Sequence, residues 1–262
     1  GDIRDPARLK LALRGVDYVI HAAAIKSLVD CQYNPTEAIA TNVIGTQNVL
    51  TAAMEEGVER VIVISSDKAE RAGLNLYGVT KAATEHLAVT FNAYSGEYGT
   101  RFSAVRYGNV AGSSGSVIPL FLRQRDSGVL TITDPKMSRF WITLDEAVTF
   151  VLRCLSEMVG GEIFVPHLPS ARVVDIALAI APMARYNITG IRPGEKIHEE
   201  MIGPEEARMT RDRGWGLVVH PSFHPWVTDY PMSGSPVAGD WHYTSASATR
   251  LTPEDIAKMV NQ

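Results

Sequence analysis

The chain has 262 residues, 45% hydrophobic and 21% charged. That suffices for one large domain or two modest ones and excludes a disordered or collagen-like polymer. Lys plus Arg number 25 and Asp plus Glu 29, a net charge of −4, which argues against a general nucleic-acid binder.

Two cysteines, Cys31 and Cys154, are too few for a disulfide framework or a Cys-rich metal site and read as reduced, buried thiols. The His residues show no metal-ligand spacing; His220 and His224 are four apart, but Pro221 and Pro225 argue against a helix there. The longest apolar stretch, Val173 to Ala184, contains Asp175 and Pro182 and falls short of the roughly 20 residues a membrane span needs. The expectation is a soluble, cytoplasmic chain that uses no metal, membrane or nucleic acid.

In chain order, Asp5-Pro6 is an N-cap with Pro at the first helical position, and the helix it opens stops at Gly15. Asp17 to His21 is a short apolar run that ends in Ala22-Ala23-Ala24, which predicts a buried strand running into a small-residue turn. Asn34-Pro35 opens a helix carrying Ile39, Val43, Val49 and Leu50 before Gly57. Arg60 to Ser66 is a second strand, Tyr77 to about Ala93 a helix, and Phe102 to Tyr107 a third strand.

Continuous apolar strands alternating with helices predict an α/β fold, a doubly wound parallel sheet of Rossmann type with helices on both faces. Ligands then bind beyond the carboxyl ends of the strands. We expect a dinucleotide-binding part over residues 1–117. From about residue 118 the pattern is less regular and predicts a smaller, mixed, mainly substrate-binding lobe over 118–262, with some segments returning to the core. Gly203 to Gly239 reads as a long surface segment, and Thr252-Pro253 as a helix start.

Tyr77 and Lys81 lie four apart, on one face of a helix. A phenol is a poor base at neutral pH, and a nearby ammonium favours the phenolate. The pair suits removal of a proton from a sugar hydroxyl while hydride leaves the carbon. Ser65-Ser66-Asp67-Lys68 follows the second strand, where a Ser hydroxyl reaches a substrate oxygen. Taken alone, the Tyr-x-x-x-Lys spacing also fits a plain helix surface, Asp67-Lys68 a solvated pair, Asn42 a surface polar residue, and each Arg a surface ion-pair residue. His21 reads as a satisfied structural histidine.

Gly1-Asp2-Ile3-Arg4-Asp5, His21-Ala22-Ala23-Ala24, Thr41-Asn42, Tyr77-x-x-x-Lys81 and Arg106-Tyr107-Gly108-Asn109-Val110 together resemble the extended short-chain dehydrogenase/reductases acting on nucleotide sugars. Ser66-Asp67-Lys68 resembles the signature of the inverting UDP-N-acetylglucosamine 4,6-dehydratases of pseudaminic acid synthesis. The segments Ile132 to Thr143, Gly161 to Pro166 and Ile191 to Glu199 are similar to that subfamily, and Tyr243-x-Ser245 to its C-terminal segment. Tyr77 stands where related membrane-anchored dehydratases usually have Met.

The resemblance implies catalytic roles for Tyr77, Lys81, Asp67, Lys68 and Ser66. Tyr77 takes the O4 proton, and Lys81 holds the ribose and lowers the Tyr pKa. Lys68, with its pKa pulled down by a desolvated pocket and Lys81, takes the C5 proton. Asp67 gives a proton to the leaving C6 oxygen. It implies cofactor contacts from Asp2, Ile3, Ala22, Ala23, Ala24, Lys26, Asn42, Tyr77, Lys81, Tyr107 and Asn109, with NADP as cofactor and NAD as the alternative. It implies substrate contacts from Lys26, Asn109, Ser116, Val117, Pro119, Thr131, Thr133, Arg139, Arg192 and Glu195, a UDP-sugar substrate and a homo-oligomer.

Two alternatives accompany this reading: a UDP-sugar epimerase or reductase that uses the same Tyr and Lys, and an inactive fragment that only binds nucleotide or partners. The loop Glu70-Arg71-Ala72-Gly73 is one residue longer than the family pattern; we expect a harmless bulge near Gly73, the most permissive residue there. Asp2 matches the end of a family strand that two βα units precede, on the order of 60 residues. The chain is therefore expected to lack the phosphate-gripping turn, to expose Tyr18 to His21 as a sheet edge, and to be inactive alone.

Overall fold

A computed structural model describes residues 1–96, 99–113 and 115–260. Helix α1 (Pro6–Ala12) starts as its sequence dictates: the Asp5 side chain accepts from the Arg8 N–H, and Pro6 sits in the first turn. Strand β1 (Tyr18–His21) follows. A short helix, α2 (Leu28–Tyr33), is one the apolar pattern does not announce; Ser27 caps it. The predicted helix after Asn34 is a single rod in three parts: α3 (Pro35–Ala38), a wider π-helical stretch (Ile39–Ile44) and α4 (Gly45–Glu55). Strand β2 (Arg60–Ile64), helix α5 (Leu76–Ser95) and strand β3 (Arg101–Val105) complete the first half.

The second half runs through β4 (Asn109–Val110), α6 (Val117–Gln124), β5 (Val129–Ile132) and β6 (Ser138–Ile142). Next come α7 (Leu144–Glu157), opened by a reciprocal Thr143/Glu146 capping box, and β7 (Ile163–Val165). Strand β8 (Ser170–Arg172), α8 (Val173–Ile180), β9 (Arg185–Ile188), β10 (Glu200–Ile202) and α9 (Pro204–Ala207) follow. The chain then passes through β11 (Thr210–Asp212), β12 (Leu217–Val219), β13 (Ser235–Pro236) and β14 (Tyr243–Thr244). Helix α10 (Pro253–Val260) starts where Thr252 and Asp255 cap each other.

The main sheet has seven strands in the order β1-β2-β3-β7-β12-β11-β13. Strands β1, β2 and β3 are parallel, as the apolar runs predict, and β7 joins them in parallel. The rest of the sheet corrects the expectation. Strands β12, β11 and β13 add in antiparallel fashion, so the sheet is mixed. Gly203 to Gly239 is therefore not simply surface: Leu217 and Val218 are buried. The short turn between β11 and β12 makes a hairpin, and a hairpin can only pair antiparallel. Strand β1 is the edge strand, with Tyr18 51% and Ile20 45% exposed.

Two apolar cores matter for the site. One packs α4 and α5 on β2 and β3 through Leu50, Val61, Phe91 and Phe102. The other packs α6, α8 and α10 around Phe121, Leu130, Trp141 and Ile176. Cys31 and Cys154 are unpaired and buried. No helix among the described residues is long and apolar enough to cross a membrane.

Helix α5 is tied to β3 by one fully buried amide. Asn92 donates to the Phe102 carbonyl (2.8 Å) and accepts from the Phe102 N–H (3.1 Å). Asn92→Ala leaves the Phe102 N–H without this acceptor, while the Phe102 carbonyl keeps its bond from the Gly161 N–H (2.7 Å); it should cost about 1–3 kcal/mol of stability, measured as a lower urea midpoint at unchanged slope.

Candidate active site

The sequence motifs meet at the carboxyl edge of the sheet. Beyond β2 and β3 the chain keeps pairing: the Ser65 N–H donates to Val105 O (2.7 Å) and the Asp67 N–H to Tyr107 O (3.1 Å). This pairing brings Asp67 under the sheet edge, where its side chain is 1% exposed. Ser66 Oγ and Lys68 Nζ both donate to Asp67 Oδ1 at 2.9 Å, and Oδ2 has no partner.

Tyr77 is buried in the first turn of α5. Asn75 caps that turn by accepting from the Gly78 N–H (2.7 Å), and it donates to Gly194 O (2.9 Å). A Cβ at Gly78 would run into Lys68 O. Glycine there lets the Asp67-Lys68 loop lie directly on the start of the helix.

The charges are arranged differently from the expectation. Burial pushes the Tyr77 phenol up; the Lys68 ammonium and a Ser66 hydrogen bond oppose this. Lys68, not Lys81, is thus the cation that favours the phenolate. Lys81 is buried, donates to Ile64 O (2.7 Å), and is lowered to about 8 by desolvation, with Glu85 opposing. Lys68 is also reversed. Burial disfavours its charge, but Asp67 and Glu199 outweigh burial and Arg139, and its pKa lies above the ordinary lysine range. In the expectation a desolvated pocket drew it down; two buried carboxylates against one ammonium reverse the sign.

A cavity of about 270 Å³ opens beside this cluster. Lys68, Asn109, Ser116, Val117, Thr131, Thr133, Arg139, Arg192 and Glu195 line it, so most of the expected substrate residues share one wall-to-wall space. Two do not: Pro119 is half-buried on α6 and Lys26 is exposed, and neither lines it. Arg139 is less available than expected, because it donates to the carbonyls of Ser138 (2.7 Å), Ile197 (3.1 Å) and Lys196 (3.0 Å). Arg192 is 59% exposed and faces Glu195 at 3.8 Å.

The expected cofactor residues lie along β1 and its neighbours. Ala22 and Ala23 are exposed just past the end of β1, with Ala24 half-buried. Asn42 sits in the π-helical stretch. It accepts from Ile25 N (2.8 Å) and donates to Ile25 O and Thr80 Oγ1 (both 3.0 Å), so it fixes the turn after β1 to α5. Ile3 covers Gly45, where a Cβ would meet its side chain at 2.6 Å. The Asp2 carboxylate is held by Arg4 (2.5 Å) and lowered to about 2 by it. His21 bonds Thr46 (2.9 Å) and is lowered to about 4 by burial, a structural role. Tyr107 is partly buried, and burial raises its phenol.

Sequence reasoning missed Glu199. It is 2% exposed, and Oε1 lies 3.4 Å from Lys68 Nζ and 3.6 Å from Arg139 Nε. Its backbone N–H donates to Ser245 Oγ (2.9 Å), which donates to Ser138 O (3.0 Å). The Lys196-to-Glu200 charge run was the available signal, but a run does not say which carboxylate turns inward.

Sequence reasoning also missed the charge cluster beneath the loop. Arg106, 2% exposed, pairs bidentately with Glu85 (2.9 and 2.7 Å) and with Glu206 (2.7 and 2.9 Å), and faces Glu70 at 3.7 Å. The longer loop is anchored by these charges. Arg71 pairs with buried Glu200 (2.7 Å), and Lys196 donates to Glu70 O (2.5 Å). The left-handed residue is Arg71 (φ 49°), not Gly73. The ion pairs at Glu70 and Arg71 decide where the backbone bends, at a local cost in strain.

Residues 1–220 match the family described as polysaccharide biosynthesis protein. A UDP-N-acetylglucosamine 4,6-dehydratase (inverting) of Campylobacter jejuni subsp. jejuni serotype O:2 is 49% identical over 212 residues, 80% of this chain and 63% of its own length. This chain thus spans less than two thirds of that relative. A UDP-glucose 4-epimerase of Rickettsia conorii is 41% identical over 99% of this chain and 78% of its own. The crystal structure of DesIV, a dTDP-glucose 4,6-dehydratase from Streptomyces venezuelae with NAD bound, superposes with a TM-score of 0.67 at 26% identity, over 75% of this chain and 68% of that one.

Glu70 gives a pH signature. Burial, with Glu206 beside it and Arg106 opposing, raises its carboxyl to about 7 from an ordinary 4.5. A raised carboxyl favours the folded state while protonated. Its contribution is full below about pH 4.5 and is lost as pH rises to about 7. Glu70→Gln should remove this loss. The variant's advantage over wild type in urea midpoint should therefore be larger at about pH 8 than at about pH 5.

Proposed function

This chain belongs to the polysaccharide biosynthesis protein family, and from that we propose that it is a nucleotide-sugar 4,6-dehydratase acting on UDP-N-acetylglucosamine with inversion at C5. The observation that carries the reading is the Asp67–Lys68 pair at 2.9 Å: Lys68 lines the cavity, Asp67 is buried behind it, and Tyr77 lies near enough to feel both charges. Of the protein's own groups, oxidation at C4 needs only a phenol and its cation beside a hydride acceptor. Loss of water from C5 and C6 needs a base and an acid together, and an epimerase has no use for them.

The nicotinamide, when bound, supplies the hydride acceptor for C4 and the donor for C6. The residues present suit such a cofactor. Ala22 and Ala23 put no bulk between backbone and ligand, and Ser65 Oγ is buried beside the strand end without a partner. We assign Asp2, Ile3, Ala22, Ala23, Ala24, Lys26, Asn42, Lys81, Tyr107 and Asn109 to it, with NADP as the form used. We assign residues 1–117 mainly to dinucleotide binding and 118–262 mainly to the sugar nucleotide.

The proton steps follow from the charges. Tyr77, favoured as phenolate by the Lys68 ammonium and Ser66, takes the O4 proton. Tyr77 is then neutral and no longer calls for a cation, so a proton can pass from Lys68 to Asp67 along their 2.9 Å hydrogen bond. The 4-ketone has meanwhile acidified C5–H. Neutral Lys68 takes that proton while Asp67 protonates the departing C6 hydroxyl as water. This step ends on the ion pair seen at rest. Protonation of C5 from the opposite face, drawing in net on the proton that Tyr77 took from O4, inverts that centre as C6 is reduced and restores the phenolate. The enzyme is read as a cytoplasmic homo-oligomer.

The test is incubation with UDP-N-acetylglucosamine and NADP, with the product followed by NMR. A 4-keto-6-deoxy sugar with inverted C5 is expected; a product that keeps its C6 oxygen indicates epimerase chemistry and overturns the reading. Lys68→Ala should abolish dehydration. Tyr77→Phe should slow C4 oxidation by about 10²- to 10⁴-fold.

A further inference from the structure

Lys68 sits between two carboxylates, whereas the elimination described above employs only one. Asp67 Oδ1 is 2.9 Å from its Nζ, and Glu199 Oε1 lies 3.4 Å away. Glu199 comes from a segment more than a hundred residues further along the chain, and Ser245 holds its backbone. Its carboxylate is 3% exposed, and Oε2 has no partner at all. Arg139 Nε, at 3.6 Å, is its other nearby cation, and that guanidinium is engaged by three backbone carbonyls.

A buried carboxylate held this loosely depends on its neighbouring cations staying charged. We infer that Glu199 is a positioning residue that keeps Lys68 as the ammonium in the resting site, and so holds the base in reserve until the sugar is oxidised at C4. The inference deepens the dehydratase reading and rests on it for its catalytic meaning.

The groups facing Lys68 set the sign. Asp67 and Glu199 favour its charged form, and Arg139 disfavours it. Lys196 stands close enough to share in the same field, and Tyr77 feels Lys68 directly. Replacing Glu199 by a neutral side chain removes one of the two favourable charges, so Lys68 should give up its proton at lower pH. The balance is a proton shift within the cluster, with no external reactant. A lysine that is already neutral no longer favours the Tyr77 phenolate, so the same change should weaken C4 oxidation and move the elimination to lower pH.

The inference is read without catalysis by competitive acetylation of the intact protein, with Lys68 followed by peptide mass spectrometry. Lys68 is 22% exposed and lines the cavity, so the reagent can reach it. At a fixed pH near 8, Glu199→Gln should acetylate at Lys68 about tenfold faster, the effect of one pKa unit. Glu199→Asp, which keeps the charge but draws it back, should give a smaller rise. Glu200→Gln removes an equally buried carboxylate that faces Arg71 instead and should leave Lys68 unchanged.

Equal Lys68 rates in wild type and Glu199→Gln overturn the inference. If Glu199→Gln does not fold, equal rates in wild type and Glu199→Asp overturn it. Faster labelling of Glu199→Gln where the wild-type protein forms no 4-keto-6-deoxy sugar upholds the charge relation and refutes the dehydratase reading, so the two fail separately.

Discussion

The Lys68 ammonium organises the site. It pairs with Asp67 of the loop after β2 at 2.9 Å and with Glu199, near the middle of the second half, at 3.4 Å. It is also the cation that opposes the burial-driven rise of Tyr77. One charge therefore couples Tyr77 electrostatically to Asp67 and Glu199. A low-dielectric setting makes that coupling strong, and it makes each partner costly to leave unpaired.

The same economy of charge holds one layer deeper. Arg106, next to Tyr107 in sequence, is sealed among Glu85, Glu206 and Glu70. Glu85 belongs to α5, the helix of Tyr77 and Lys81, and Glu206 to α9 of the second half. The cluster thus pins β3's end, α5 and the second half to one point. The longer loop between Lys68 and Tyr77 ends inside it, which explains why an added residue leaves Asp67 and Tyr77 within one buried cluster. The bend falls on Arg71 because its guanidinium reaches Glu200; Gly73 has the freer backbone but no charge to anchor.

The early fold was legible because local rules and global fold agree there. Apolar runs of β-branched residues make parallel strands, and Asp5 caps the helix it precedes. The late sheet strands were not legible. Leu217 and Val218 lie in a stretch dense in Gly, Pro, Ser and His, where short strands carry little periodic signal and pairing partners decide burial. The site was legible as a set of neighbours, since the motifs single out Tyr77, Asp67 and Lys68 and the structure brings them together. It was not legible in the sign of the charges, because a pKa is set by the groups that tertiary contacts bring near.

Residue order alone determined that strand ends carry Ser66-Asp67-Lys68 and Arg106-Tyr107 and that a helix presents Tyr77 and Lys81 on one face. Those are properties of short-range period and chemistry. Only the tertiary structure decided that Lys68 keeps its proton, that Arg139 faces the cavity with its donors already engaged, and that Glu199 turns inward. Each depends on distances of a few ångströms between residues far apart in the chain, and a Coulomb interaction has no counterpart in sequence spacing.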